Sequence, residues 1–214
     1  MSFDLVIFDC DGVLVNSEVI SNELLRSALA RHGLKMTLEE VIETYVGRSM
    51  LSVVAISNEL LGRDLPDNFL KRLQIETFKA FDERLKPVDG IKQVLEELQQ
   101  QNINYCVASS GAFEKMDLTL GLTRLRDFFG GRIYNTSQVS RGKPYPDLFL
   151  YAAEQMQVEP ARCLVIEDSL PGVQAAVAAG MEVMAYSVRG ADQALKKAGG
   201  LVFNDMRDVL THIK

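Results

Sequence analysis

The first pattern along the chain is an unbroken apolar run, Leu5 to Phe8, that stops at two acids, Asp9 and Asp11, with one residue between them. Four apolar residues without alternation predict a strand buried on both faces that ends at the carboxylates. Beyond it, residues 17–84 read as nearly continuous helix. Leu24, Leu25, Ala28 and Leu29 recur at helical spacing, Gly33 closes that segment, and Thr37 with Glu40 has the form of a capping box for the next. Gly47, Gly62 and Pro66 punctuate the remainder, and no strand-like run interrupts it. From Pro87 the pattern changes to alternation. Helices are predicted over residues 90–100, 113–120, 147–157 and 170–179, and strands over NYCVASS, GRIYN, RCLVIEDS, MEVMAYS and LVF, before a short terminal helix. Ser169 is placed to cap the helix at 170, with Pro171 just inside it.

Short apolar strands alternating with helices predict an α/β fold, a doubly wound parallel sheet with helices on both faces, which the first strand joins. The organisation that follows is an α/β core made of residues 1–15 and 85–214, with residues 16–84 inserted as a helical domain. Composition narrows what such a chain does. Its 214 residues are 47% hydrophobic and 24% charged, enough for a sizeable core. A net charge of −6 argues against a nucleic-acid or anionic-membrane surface. No run is apolar enough to span a membrane and no secretory start is present, so a cytoplasmic monomer is expected. Cys10, Cys106 and Cys163 lie in or beside apolar runs without metal or redox spacing, which predicts buried packing thiols in a reducing compartment. His32 and His212 are expected to be solvated or capping residues, and Lys115 and Arg141 solvated charges.

In open α/β sheets ligands bind beyond the carboxyl ends of the strands. LVIF ends at Asp9, YCVA at Ser109 and Ser110, and CLVI at Glu167 and Asp168, while the loop SRGKPYPD adds Lys143. Three strands thus deliver acids or hydroxyls to one edge. Asp9, Asp168 and the neighbouring Glu167 are hard oxygen ligands suited to Mg²⁺ shared with a phosphate, and the cation would offset the repulsion between the acids. Asp9 is the candidate nucleophile toward phosphorus. Asp11, one residue beyond the strand, is the candidate acid and base for the leaving oxygen and the attacking water, with its backbone carbonyl also available to the metal. Gly12 lets the chain turn where a side chain would crowd the phosphate. Ser109 is expected to hydrogen-bond a phosphoryl oxygen, with Ser110 beside it as a substrate contact, and Lys143 to supply fixed positive charge.

DCDGVLVNS, the strand-ending Ser109, Lys143 within KPYPD and the EDS of Glu167 to Ser169 resemble the four ordered motifs of the haloacid dehalogenase superfamily. The resemblance covers the chain from Phe8 to the last strand and sets the helical insert where members with a small α-helical cap carry it. It implies a Rossmann-like core, an aspartate nucleophile, Mg²⁺ dependence and a cap domain that closes over a small phosphorylated metabolite, most plainly a sugar phosphate or sugar-acid phosphate. Asn16 departs from the pattern, standing where relatives often carry Asp. Asp11 marks phosphoryl chemistry, since the haloalkanoate dehalogenases lack that acid.

Two other readings stay open. A phosphomutase of the β-phosphoglucomutase type shares the core, but grips a second phosphate with cap cations where this chain has Val46 and Met50, and with a lysine where it has Ala112. Arg48 is cationic but displaced by two residues from these positions, and is a candidate substrate contact. A phospho-accepting signalling module also gathers acids, a hydroxyl and a lysine at strand ends, but in a shorter chain with no insert after the first strand.

Overall fold

The computed structural model describes residues 3–46, 48–188 and 192–213. The run that opens the chain forms β1 (Leu5–Phe8), every residue of it buried. The alternating stretch supplies α5 (Ile91–Gln100), β2 (Asn104–Ser109), α6 (Phe113–Leu122), α7 (Arg126–Phe129), β3 (Ile133–Asn135), α8 (Asp147–Gln155), β4 (Cys163–Glu167), α9 (Leu170–Ala178), β5 (Glu182–Tyr186), α10 (Gln193–Lys197), β6 (Leu201–Phe203) and α11 (Asp208–His212). The six strands form one sheet in the order β3-β2-β1-β4-β5-β6, parallel throughout. This is the doubly wound arrangement that the sequence predicts, with β1 at its centre although the insert separates it from every other strand.

The order reverses between β1 and β4, and such a reversal opens a crevice at the strand ends. Register sets which residues meet there. Phe8 pairs with Val107 on β2 and with Ile166 on β4, so the three strands end level. One face of the sheet packs Leu5, Ile7, Cys106, Cys163 and Val165 against Leu148 and Phe149 of α8 and Val173 of α9. All three thiols are buried and unbridged.

The chain divides into two compact units, one built from the segments up to Asn16 and from Lys86 onward, the other from Ser17–Leu85. The second is all helix: α1 (Ser17–Arg31), α2 (Leu38–Tyr45), α3 (Met50–Leu61) and α4 (Phe69–Arg84). It has its own core of Leu25, Leu29, Val41, Tyr45, Val53, Phe69 and Leu73. The capping box at its second helix is formed: Glu40 N donates to Thr37 Oγ1 at 3.2 Å, and Thr37 N to Glu40 Oε2 at 2.7 Å. In the α/β unit, Asn16 N donates to Lys86 O at 3.0 Å, and Val15 bridges Pro87, so the departing and returning segments run side by side.

Two expectations about histidines need correcting. His212 is not merely solvated: its ring stacks on Phe3 and its Nε2 lies 2.5 Å from Glu182 Oε1, which docks α11 against the start of β5. His32 sets its ring edge-on to Phe69, covering apolar surface in the helical unit. A flat ring with an apolar body gains more from such a contact than from full hydration.

Candidate active site

Asp9 continues β1 by one residue, its N–H donating to Ile166 O at 3.0 Å, and this carries its carboxylate to the level end of the strands. The residue is only 7% exposed. What makes such burial tolerable is Lys143, whose side chain is 5% exposed. Its ammonium donates to Asp9 Oδ1 at 2.5 Å, to Glu167 Oε1 at 2.6 Å and to Ala108 O at 3.2 Å. Three donors meet three acceptors, one from each of the level strands. Burial opposes the charge on Lys143, but the two carboxylates more than offset it, so its pKa lies above the ordinary lysine value. Burial raises the Asp9 carboxyl above the usual carboxylate range, and Glu167 and Asp11 add to this against the opposing pull of Lys143.

Glu167 closes β4 and is also fully engaged. Its Oε2 accepts from Asp168 N at 2.8 Å, from Ser169 N at 2.7 Å and from Ser169 Oγ at 2.9 Å. The same Ser169 Oγ accepts from Gly172 N at 3.1 Å, the N-cap expected for α9. Glu167 therefore sits beneath the first turn of a helix, where its charge is favoured by the exposed N–H groups. A Cβ on Gly172 would lie 1.8 Å from Glu167 Oε1, so only glycine admits the carboxylate there.

Asp168 turns the other way, toward the segment after β1. That segment is a tight turn, with Gly12 N donating to Val15 O and Leu14 N to Cys10 O, both at 2.9 Å. Gly12 has φ +79°, and a Cβ there would stand 1.9 Å from Asp168 Oδ2. A side chain at Gly12 would thus crowd the Asp168 carboxylate. Gly12→Ala carries both penalties: about 1–2 kcal/mol for the left-handed backbone and displacement of Asp168. A shift on the order of 1 Å in a positioned group is worth about a hundredfold in rate, and a fall of that size in kcat/KM for an aryl phosphate is the expected result.

Asp11 lies at the outer side of the same turn. Its Oδ2 is 2.8 Å from the ammonium of Lys115 in the first turn of α6. The expectation that Lys115 is a solvated charge is therefore wrong. Burial lowers its pKa and the Asp11 carboxylate raises it by more, leaving it above the ordinary value. Arg141 is exposed as expected, although paired with Asp147 at 2.8 Å and stacked over Tyr145. Ser109 is 2% exposed and its Oγ accepts from Gly111 N at 3.2 Å. A residue not anticipated from sequence, Asn135 at the end of β3, steadies this loop from behind by donating to Gly111 O at 3.1 Å. Ser110 is exposed and borders a cleft of about 370 Å³ together with Ala112, Asn135 and Ser137. Arg48 lies in the helical unit, where its Nε donates to Thr44 O at 2.8 Å.

The edge thus gathers four carboxylates, Asp9, Asp11, Glu167 and Asp168, against the ammoniums of Lys143 and Lys115. The excess of hard anionic oxygen fits a hard divalent cation. Among the described residues, no three His, Cys, Asp or Glu side chains form a ready-made metal cage.

The comparisons with known proteins agree with this chemistry. The model of the haloacid dehalogenase-like hydrolases matches residues 6–186. The phosphorylated carbohydrates phosphatase of Thermotoga maritima is 30% identical over 99% of this chain and 98% of its own. The 6-phosphogluconate phosphatase of Escherichia coli K12 is 29% identical over 86% of this chain and 82% of its own. Among solved structures, a hydrolase of the same family from Deinococcus radiodurans, with bound phosphate and sodium, superposes with a TM-score of 0.86 at 32% identity, covering 99% of this chain and 95% of that one.

Proposed function

The chain belongs to the haloacid dehalogenase-like hydrolases and is a phosphoric monoester hydrolase, and from that premise we propose a Mg²⁺-dependent phosphatase of small sugar phosphates or sugar-acid phosphates that works through an aspartyl phosphate on Asp9. The observation that carries this reading is the buried Asp9–Lys143 pair at the end of β1, with Asp11 two residues further on. Lys143 fixes one oxygen of Asp9, Oδ1.

An oxygen of Asp9 attacks phosphorus, and the bond from phosphorus to the ester oxygen breaks. Asp11 gives its proton to that departing oxygen, which leaves as an alcohol. Asp11, now a carboxylate, takes a proton from a water that attacks the aspartyl phosphate. The bond from phosphorus to Asp9 breaks, inorganic phosphate is released, and both acids return to their starting forms. Ser109 Oγ donates to a phosphoryl oxygen, and Lys143 contributes charge that need not reorganise during the reaction. The carboxylates of Asp9 and Asp168 and the backbone carbonyl of Asp11 would hold Mg²⁺, which supplies positive charge against the phosphoryl oxygens. Glu167, with Lys143 on Oε1 and three donors on Oε2, is assigned to holding Lys143 and the start of α9 in place of a direct metal bond.

The named activities of the two phosphatases above support the substrate class. The helical unit is read as a cap, with Arg48 and Ser110 as contacts to the part of the substrate beyond the phosphate. Val46, Met50 and Ala112, apolar where a mutase needs cations, favour hydrolysis over transfer to a second hydroxyl. The buried, unbridged thiols fit a reducing compartment, and we place the protein in the cytoplasm.

Phosphate release from sugar phosphates, sugar-acid phosphates and nucleotides, measured with Mg²⁺ and with EDTA, tests the proposal. The expected result is highest kcat/KM on the carbohydrate esters and loss of activity in EDTA that added Mg²⁺ restores. Conversion of β-glucose 1-phosphate to glucose 6-phosphate without phosphate release would favour the mutase instead.

A further inference from the structure

The roles above do not use the ammonium of Lys115. Lys115 stands in the first turn of α6, its side chain 30% exposed, with Nζ 2.8 Å from Asp11 Oδ2. One turn along the same helix, fully buried Thr119 places Oγ1 4.0 Å from Cys10 Sγ. Residues four apart lie on one helix face. A single face of α6 therefore meets two consecutive residues, Cys10 and Asp11, just where the chain leaves β1. The helix is itself anchored through buried Met116 and Leu120.

Asp9 is locked by a buried ammonium, whereas the Asp11 side chain is 21% exposed and sits on a turn. The positions it meets are informative: a Cβ on Gly111 would lie 3.5 Å from Asp11 Oδ2 and 3.6 Å from Ser109 Oγ. The Oδ2 that Lys115 bonds is thus held on the Ser109 side of the site.

We propose that Lys115 is a positioning residue for Asp11, its ammonium pinning Oδ2 so that the carboxyl group faces the ester oxygen of the bound phosphate. The proposal rests on the reading in which Asp11 is the acid and base. The bond to Oδ2 suits both forms of Asp11. A carboxylate accepts it, and so does the carbonyl oxygen of the acid, whose proton then sits on Oδ1. When the bond from phosphorus to the ester oxygen breaks, that proton passes from Oδ1 to the leaving oxygen, and Lys115 keeps its hydrogen bond throughout.

The test compares an aryl ester, p-nitrophenyl phosphate, whose leaving group departs without a proton, with an alkyl ester, glucose 6-phosphate. It uses Lys115→Met, Lys115→Arg, Asp11→Asn and the Asp11→Asn/Lys115→Met double variant. Because a general acid is worth about 10²–10⁴-fold, Lys115→Met is expected to reduce kcat/KM on the alkyl ester at least about tenfold more than on the aryl ester. Lys115→Arg, which keeps a donor at this place, is expected to retain most of that ratio. In the Asp11→Asn background, Lys115→Met is expected to change the ratio by less than about twofold, since residues acting as one unit are not additive. Equal losses on both esters, or an undiminished loss in the Asp11→Asn background, would overturn the proposal and place Lys115 on the substrate or in the fold. If Asp11→Asn itself fails to separate the two esters, it is the acid assignment of Asp11 that falls.

Discussion

Asp9→Asn is expected to abolish phosphoryl transfer while leaving the fold as stable as before, or more so. The amide oxygen of asparagine can still accept the hydrogen bond from Lys143 that Oδ1 accepts at 2.5 Å. Lys143 also keeps Glu167 Oε1 and Ala108 O. What is lost is the nucleophile, and removing one member of a catalytic set of this kind costs on the order of 10⁴-fold or more. Stability is expected to move the other way. Burial is the largest factor that disfavours charge on Asp9, and Glu167 and Asp11 add to it against the pull of Lys143, so a neutral residue removes more cost than attraction. Activity assays with an aryl phosphate and thermal melts on the same preparation check both halves. Retention of more than about a hundredth of the activity would contradict the nucleophile assignment, given the size expected of it.

Lys143→Met has the opposite signature, with fold and activity failing together. Its ammonium is the charge that lets Asp9, with a side chain 9% exposed, and Glu167, at 1%, share the sheet edge. Removing one partner from a buried ionic cluster leaves uncompensated charge and costs about 3–5 kcal/mol. Part of that cost is avoided when Asp9 takes up a proton, and a protonated Asp9 is no nucleophile. Denaturant unfolding is expected to show the loss of stability, and the aryl phosphate assay a loss comparable to that of Asp9→Asn. Arginine is not expected to rescue. Three acceptors converge on the single Nζ atom, a geometry that a planar guanidinium does not reproduce. A variant as stable as the native protein would show that the carboxylates have another counter-charge.

Much of this site is legible in the chain because its parts are local. Leu5 to Phe8 are apolar on both faces, so β1 reads as a central strand before any partner is known, and the acid that ends it must lie at the sheet edge. Ser169 and Pro171 announce the start of α9 in the same way, through capping chemistry confined to a few residues. Helix ends are less sharp. The helix predicted over residues 147–157 stops at Gln155, and Gln157 takes φ +57° to turn the chain.

The features that sequence does not show are those whose cause lies far along the chain. Lys115 follows exposed Glu114 on a helix and looks like any solvated lysine, but its partner is Asp11, 104 positions earlier. Gly172 looks like an ordinary residue of a helix start, and only the fold puts the Glu167 carboxylate where its Cβ would be. Asn135 ends the strand read from GRIYN, but nothing in that run shows that its side chain supports the loop that follows Ser109. Gly12 is singled out for its turn, but only the fold shows that a Cβ there would meet Asp168, which follows the neighbouring strand β4.

The central claim is a division of labour in which Asp9 takes the phosphoryl group and Asp11 moves the protons. The most direct test mixes Asp11→Asn with p-nitrophenyl phosphate, quenches in acid after one turnover, reduces with borohydride and maps the product by peptide mass spectrometry. With a leaving group that needs no proton, Asp9 should be phosphorylated quickly and freed slowly. The account predicts a burst of nitrophenolate equal to the enzyme, followed by slow release, with the reduced residue, homoserine, at position 9. Steady release without a burst, or modification anywhere other than Asp9, would contradict it.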